Sequence, residues 1–394
     1  MPLSKKRVLM VGFELPPFNS GGLGEACLGL TKSLSKYIDI IFLLPKKLPF
    51  FHNHMKIIFA VEQDIIESKK PHNKVGIIQK SKEISVYSSQ KIESQIEYFK
   101  NLNFKMLKRA LKEDFDLIHA HDWMSVKIAL ELKKIKNKPL ILQIHSTEID
   151  RSPIENMDIE KYNLEKYGME QADKIIAVSE YTKKIIQDYY GIPKEKIEVV
   201  YNGSTFGKRE IAKTNKLKIV NPIILFVGRL TFQKGISQLL SVAQKTVKEI
   251  PNAVFVIAGD GDMYKEMIEK SCEMGLIGNI LYSGFIRGEA REVIYNSANI
   301  FIMPSISEPF GLVALEAANF KIPSIISKQS GVGEVLEGSH LIDFWDTDKM
   351  SKSIVSILKN KSIQKDIIKK QNESLKKLTW DEAAHSCIEI YNKL

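Results

Sequence analysis

Cysteine is scarce: Cys27, Cys272 and Cys387 are the only three in 394 residues. They are odd in number and far apart, which excludes a disulfide framework and any Cys-x-x-Cys metal pair. A reducing, cytoplasmic setting is therefore expected. Long apolar runs are also missing, and none approaches the ~18 residues of a membrane-spanning helix. The start, Lys5-Lys6-Arg7 followed by Val8 to Phe13, imitates a signal peptide. Glu14 and Pro16-Pro17 end that stretch after about six residues, too few for an apolar targeting core, so a first β-strand is expected instead. Internal repeats and low-complexity tracts are absent as well. What remains is 44% hydrophobic and 26% charged, which excludes disordered, collagen-like and fibrous chains. The length predicts two or three domains at about 150 residues each.

Lysine and arginine number 57 against 47 acidic residues, a formal charge of +10. Such a balance suits nucleic acid, acidic lipid or phosphorylated small molecules. A nucleic-acid partner would require a basic stripe with interleaved aromatics. The lysines here are scattered, so nucleic acid is not expected, and any membrane association is expected to be peripheral.

Short apolar runs alternate with amphipathic segments. Residues 8–13, 38–44, 117–120, 140–144, 174–178 and 197–201 read as buried strands, with helical patterns such as 23–35, 98–112 and 181–190 between them. A second series follows: strands at 223–227, 254–258, 280–282, 300–303 and 324–327, with helices near 235–249, 263–274, 289–297 and 311–320. This alternation predicts α/β architecture, two doubly wound parallel sheets with right-handed crossovers. Residues 204–218, polar and without apolar period, read as a linker. The expected division is 1–205, 219–375 and a C-terminal segment 376–394, with a deep cleft between the two domains. Ligands of open α/β sheets bind beyond the carboxyl ends of the strands. The stretch 46–100 is less legible, with a loop-like Phe50-Phe51-His52-Asn53-His54 inside it.

Candidate functional residues fall at predicted strand ends. Asn19-Ser20-Gly21-Gly22-Leu23-Gly24 leads from a strand into a helix, where glycines let backbone amides approach an anion. It is not a dinucleotide fingerprint, because Cys27 stands where a third glycine belongs; Gly259-x-Gly261 fails likewise at Tyr264. His119-Ala120-His121-Asp122-Trp123 resembles a metal motif but lacks a further histidine and any second ligand cluster, so no metal is expected and a structural or substrate-lining role is assigned. His145 follows the strand at 140–144. The loop Gly228-Arg229-Leu230-Thr231-Phe232-Gln233-Lys234-Gly235 places a guanidinium and an ammonium together, suited to a diphosphate that gains charge as it departs.

The most specific stretch is Pro304-Ser305-Ile306-Ser307-Glu308-Pro309-Phe310-Gly311-Leu312-Val313-Ala314-Leu315-Glu316. Pro309 favours an extended Glu308. Gly311 opens a helix whose free amides at Leu312 and Val313 can cradle phosphate. Glu316 lies about 7.5 Å along that helix. One carboxylate thus precedes the phosphate site and one follows it, as a nucleotide sugar would require at its sugar and ribose ends.

With these motifs together, nearly the whole chain resembles a retaining glycosyltransferase of the GT-B fold, close to the glycogen/starch synthase type and the family 4 glycosyltransferases. The resemblance runs through Gly21-Gly22-Leu23-Gly24, His119 to Trp123, His145 to Glu148, Ala172 to Ser179, Tyr201-Asn202-Gly203, Gly228-Arg229 with Lys234-Gly235, and Glu308 with Glu316. It implies transfer of a hexosyl unit, glucosyl by preference, from an ADP- or UDP-sugar to an acceptor hydroxyl, with no further cofactor. The implied roles are Gly21 and Gly22 against the diphosphate, and Arg229 and Lys234 neutralising it beside the amides of Gly311, Leu312 and Val313. Glu308 would hold sugar hydroxyls and Glu316 the ribose. His145 would sit near the reacting sugar, with Asp122 and Asn202 lining its pocket. Residues 1–205 would form the acceptor side, 219–375 the donor side, and the terminal helix would cross back to the first domain. Asn19-Ser20 stands where starch synthases carry Lys-Thr or Lys-Val, which leaves donor and acceptor open. A lipid or cell-surface glycan acceptor is an alternative to a glucan. A phosphorylase, a sugar-nucleotide epimerase and a non-catalytic nucleotide-sugar sensor are the competing readings.

Overall fold

The computed structural model describes residues 5–19, 21–47, 49–50, 52–61, 92–204 and 220–394. Apart from Ser204, the predicted linker 204–218 lies outside them, as does much of 46–100.

The apolar runs become parallel strands. In the first sheet these are β1 (Arg7–Val11), β2 (Asp39–Lys46), β3 (Lys56–Val61), β4 (Leu117–His121), β5 (Leu140–Ile144), β6 (Lys174–Ala177) and β7 (Ile197–Val199). Its order is β3-β2-β1-β4-β5-β6-β7. The register sets Val8 beside Ile40 on one side and Leu117 on the other. The second sheet contains β8 (Ile223–Val227), β9 (Val254–Ala258), β10 (Ile280–Gly284), β11 (Ile300–Met303), β12 (Ser324–Ser327) and β13 (His340–Ile342), ordered β10-β9-β8-β11-β12-β13. Each sheet therefore winds outward from a central strand, then restarts on that strand's other side. The reversal between β1 and β4, and between β8 and β11, is where α/β sheets open a crevice for ligands.

Helices follow most strands: α1 (Gly22–Leu34), α2 (Ile92–Ala110), α3 (Asp122–Lys136), α4 (Glu148–Arg151), α5 (Ile159–Gln171) and α6 (Glu180–Tyr190) in the first series. The second series has α7 (Ile236–Glu249), α8 (Tyr264–Glu273), α9 (Gly288–Ser297), α10 (Leu312–Asn319), α11 (Thr347–Lys359), α12 (Lys361–Lys377) and α13 (Trp380–Asn392). Several start on a side-chain cap: the Ser179 hydroxyl accepts from the Thr182 amide, Asp346 from Lys349, and Asn360 from Ser362 and Ile363.

Alternation along the second sheet explains its stability. Ile224 and Phe226 of β8 face a core shared with Leu239 and Ala243 of α7 and Ile354 of α11. Ile223 and Leu225 face the opposite core with Ala314 and Ala318 of α10. Both faces are dry, which is why these strands read as continuous apolar runs rather than alternating ones. Each fully buried side chain of this size contributes about 1.5–3 kcal/mol.

The chain divides into two compact units. One comprises Met1–Gln143, Leu164–Ile175 and Ile388–Leu394; the other comprises Ile144–Asn163 and Ile176–Cys387. Two strands were not expected. β3 lies in the less legible stretch 46–100, just after the loop-like Phe50 to His54, and β13 is only three residues long.

Candidate active site

In the second unit the loops after β8 and β11 meet backbone to backbone. Gly235 closes the first loop at φ 68°, and a Cβ there would overlap the Pro304 carbonyl oxygen. Only glycine satisfies both conditions. The Ile306 amide donates to the Gln233 carbonyl at 2.9 Å, so Lys234 and Glu308 are presented from adjoining main chains.

Lys234 Nζ donates to Glu308 Oε2 at 2.5 Å, and Ser305 Oγ donates to the same oxygen at 3.3 Å. The two charged side chains keep 17% and 9% of their exposure, so water screens the pair weakly. Among the described residues Glu308 Oε1 has no partner. The Glu308 backbone is extended, as Pro309 predicts: its amide donates to the Gln329 carbonyl at 2.8 Å, and the Gly331 amide donates to its carbonyl at 2.9 Å. The Val332 amide donates to the Phe310 carbonyl at 2.8 Å, and Ser179 Oγ donates to the Pro309 carbonyl at 2.6 Å.

Gly311, at φ 106°, turns the chain into α10. Leu312 and Val313 form its first turn, where backbone amides have no partner within the helix. Glu316, also buried, sits in the same helix. Its Oε2 accepts from the Tyr295 hydroxyl at 2.9 Å and forms an ion pair with Arg291. Burial and the Glu316 charge push the Tyr295 phenol well above its usual range.

A second polar cluster adjoins Glu308. Ser307 Oγ donates to Asp150 Oδ1 at 2.5 Å and lies 3.0 Å from the Tyr181 hydroxyl. Asp150 is held from its other side by the Thr147 amide and hydroxyl, at 2.7 and 2.8 Å, as the capping box of α4. Burial pushes the Asp150 carboxyl up, against the pull of Ser307, Thr147 and Arg151. Burial, with Asp150 and Glu308 nearby, likewise raises Tyr181 to about 12. His145, half-buried, precedes this box on the same loop.

The remaining expected residues are placed as follows. Arg229 is exposed and has no partner among the described residues. Asn202 is buried after β7, next to Gly203, which packs against the Trp380 backbone. Gly21, Gly22 and Asp122 belong to the first unit. Gly21 precedes α1 in an extended conformation with open space beside its α-carbon, Gly22 is exposed, and the Gly24 amide donates to Glu14 at 3.0 Å. Asp122 opens α3, buried and at φ 55°. His119 of β4 is buried and within 2.7 Å of the Tyr391 hydroxyl, and burial lowers it to about 4.

The structure thus joins Lys234 to Glu308 and sets Glu316 on the helix that begins between them and it. Arg291, Tyr295, Asp150, Ser307 and Tyr181 had not been expected. The i, i+4 spacing of Arg291 and Tyr295 in a predicted helix was the one available signal, and nothing in it pointed to Glu316.

Residues 207–374 match the family described as Glycosyl transferases group 1, and residues 88–204 match Glycosyltransferase Family 4. The chain is 28% identical to an uncharacterized glycosyltransferase of Methanocaldococcus jannaschii, over 98% of this chain and 97% of that protein. It is 24% identical to the glycogen synthase of Mycobacterium tuberculosis, over 84% of this chain and 80% of that one. The solved sucrose-phosphate synthase of Thermosynechococcus elongatus is similar at a TM-score of 0.78 and 20% identity, covering 99% of both chains. Anabaena HepE, solved with UDP-glucose, is similar at a TM-score of 0.73 and 16% identity, over 98% of this chain and 100% of that one. At these identities the two structures share the fold.

Proposed function

The chain belongs to the group 1 and family 4 type of glycosyltransferases with the GT-B fold, and from that premise we propose that it moves a hexosyl unit, glucosyl by preference, from an ADP- or UDP-sugar to an acceptor hydroxyl with retained anomeric configuration. The observation that carries this reading is a repeated arrangement in the second unit. Two buried glutamates, Glu308 and Glu316, stand on either side of the α10 N-terminus. Each is gripped at Oε2 by one cation and one hydroxyl, Lys234 with Ser305 and Arg291 with Tyr295. Each keeps Oε1 without a partner among the described residues. A donor with hydroxyls at both ends and phosphates between them fits that spacing.

Glu308 Oε1 accepts from hydroxyls of the transferred sugar, and Glu316 Oε1 from the ribose. The amides of Leu312 and Val313, with Arg229 and Lys234, receive the diphosphate. His145 and Asn202 line the sugar. Residues 1–205 serve the acceptor and 219–375 the donor. In the step itself, the bond from the anomeric carbon to the diphosphate oxygen breaks and its electron pair stays on that oxygen. The acceptor oxygen bonds to the same face of the carbon, and its proton passes to the departing phosphate. Preorganised cations stabilise charge as it develops on the leaving group, the largest contribution in many enzymes. No metal or other cofactor is assigned a role.

The glycogen synthase relative supports a glucan acceptor, and the UDP-glucose held by HepE supports a uridine donor. No helix among the described residues is long and apolar enough to cross a membrane, and a cytoplasmic location accords with that. The test is a panel of ADP-, UDP- and GDP-sugars offered with glucan and small-molecule acceptors, with product anomers read by NMR. Turnover of one donor with retained configuration is expected. Turnover of none, or an inverted product, would refute the assignment.

A further inference from the structure

Arg291 and Tyr295 lie one turn apart on α9 and therefore project from one side of it. The Arg291 guanidinium pairs with Glu316 Oε2, and the Tyr295 hydroxyl donates to that same oxygen at 2.9 Å. The clamp is itself fixed. Tyr295 is fully buried, its ring lies parallel to Phe320 at 5.1 Å, and the Arg291 guanidinium lies 5.9 Å from the Tyr295 ring centre. An ionised carboxylate offers about four acceptor positions, two on each oxygen. Two donors on Oε2 fill one oxygen and leave the other as the acceptor.

Resting on the reading of Glu316 as the ribose-end carboxylate, we propose that Arg291 is a specificity-determining positioning residue. By occupying Oε2 it fixes the carboxylate so that Oε1 meets the ribose, and the site selects ribonucleoside over deoxyribonucleoside diphosphates. A hydroxyl that meets an acceptor already oriented and compensated forms a charge-assisted bond without reorganising the site. A ligand lacking that hydroxyl covers Oε1 and leaves it unpaired, which is how such sites reject the deoxy analogue. Lysine at 291 would compensate the charge as a point but could not reproduce the planar fork that sets orientation. Leucine would do neither.

The experiment measures equilibrium binding of UDP, ADP and GDP, and of their 2′-deoxy and 3′-deoxy forms, to the wild type, Arg291→Leu and Arg291→Lys. The wild type is expected to favour its best ribonucleotide over a deoxy form by at least about tenfold, the scale of one hydrogen bond to a charged group. In Arg291→Leu that ratio should fall below about threefold, with Arg291→Lys intermediate and inorganic pyrophosphate binding unchanged in both. A ratio unchanged in Arg291→Leu would overturn the role of Arg291 and leave the donor reading intact. A wild type that binds ribo and deoxy forms equally would overturn the ribose contact and this proposal with it. A wild type that binds no nucleoside diphosphate would overturn the proposed function as well. Should Arg291→Leu lack a native melting transition, Arg291→Lys decides, and a full wild-type ratio there would count against the proposal.

Discussion

Removing the Lys234 ammonium separates what its contact with Glu308 does for folding from what it does for transfer. Two unit charges about 4 Å apart attract by about 4 kcal/mol at an effective dielectric of 20. The Nζ to Oε2 distance of 2.5 Å and side-chain exposures of 17% and 9% put this pair in that regime. Breaking a buried pair by deleting one partner costs about 3–5 kcal/mol, because the other charge is left uncompensated. Lys234 retains some water, so Lys234→Met should lose about 3 kcal/mol of unfolding free energy, the lower end of that range. Glu308→Gln should lose less, since a neutral amide remains beside a lysine that can reach solvent. The double variant Lys234→Met/Glu308→Gln should be more stable than the sum of the single losses by about 2 kcal/mol. Transfer activity should behave differently. Lys234→Met lowers kcat by about 10²–10³-fold, the scale of one lost preorganised donor, and the double variant recovers none of it. Urea melts and steady-state rates on the three variants provide the assay. Strictly additive stability losses would refute the ion-pair argument, and wild-type kcat in a folded Lys234→Met would refute the catalytic one.

Arg229→Ala should also lower kcat by about 10²–10³-fold, but with a melting temperature close to wild type, because the side chain is exposed and without a partner among the described residues. Parallel rate and thermal-melt measurements check both halves. Transfer should persist after dialysis against EDTA, since the leaving group is neutralised by side chains and amides; loss of activity restored by a divalent cation would contradict that. His119 supplies a pH dependence. Burial depresses its folded value from 6.5 to about 4, so its contribution to stability is complete above 6.5 and is lost as pH falls through that window. The loss should reach about 3 kcal/mol by pH 4. His119→Gln should flatten this part of the acid-denaturation profile, measured by urea melts at successive pH values.

The sheets were legible because parallel strands covered on both faces must be apolar throughout, as Ile223 to Val227 and Ile300 to Met303 are. β3 escaped because its residues are mostly half-buried and it follows the loop-like Phe50 to His54 stretch. His340–Ile342 is too short to show a period. Lys234, Glu308, Gly311 and Glu316 could be picked out because strand-end loops and a helix start put their chemistry into continuous motifs. Arg291 could not, since one arginine among polar helix residues reads as surface until the fold brings α9 to α10. The Asp150–Ser307 bond joins residues 157 positions apart, a separation no local pattern encodes.

The strand-like tether of Glu308 bears on how far this sequence can drift. Its amide, its carbonyl and the Phe310 carbonyl are all bound to main-chain groups at Gln329, Gly331 and Val332. Such bonds do not read side chains, so the constraint falls on the donors, which cannot be proline, and on Gly331, where a Cβ would overlap the Pro309 carbonyl oxygen and Ser179. Substitutions at Ile306 can accumulate while the carboxylate stays where it is. The side chains that cannot wander are the two donors converging on Oε2, Lys234 and Ser305.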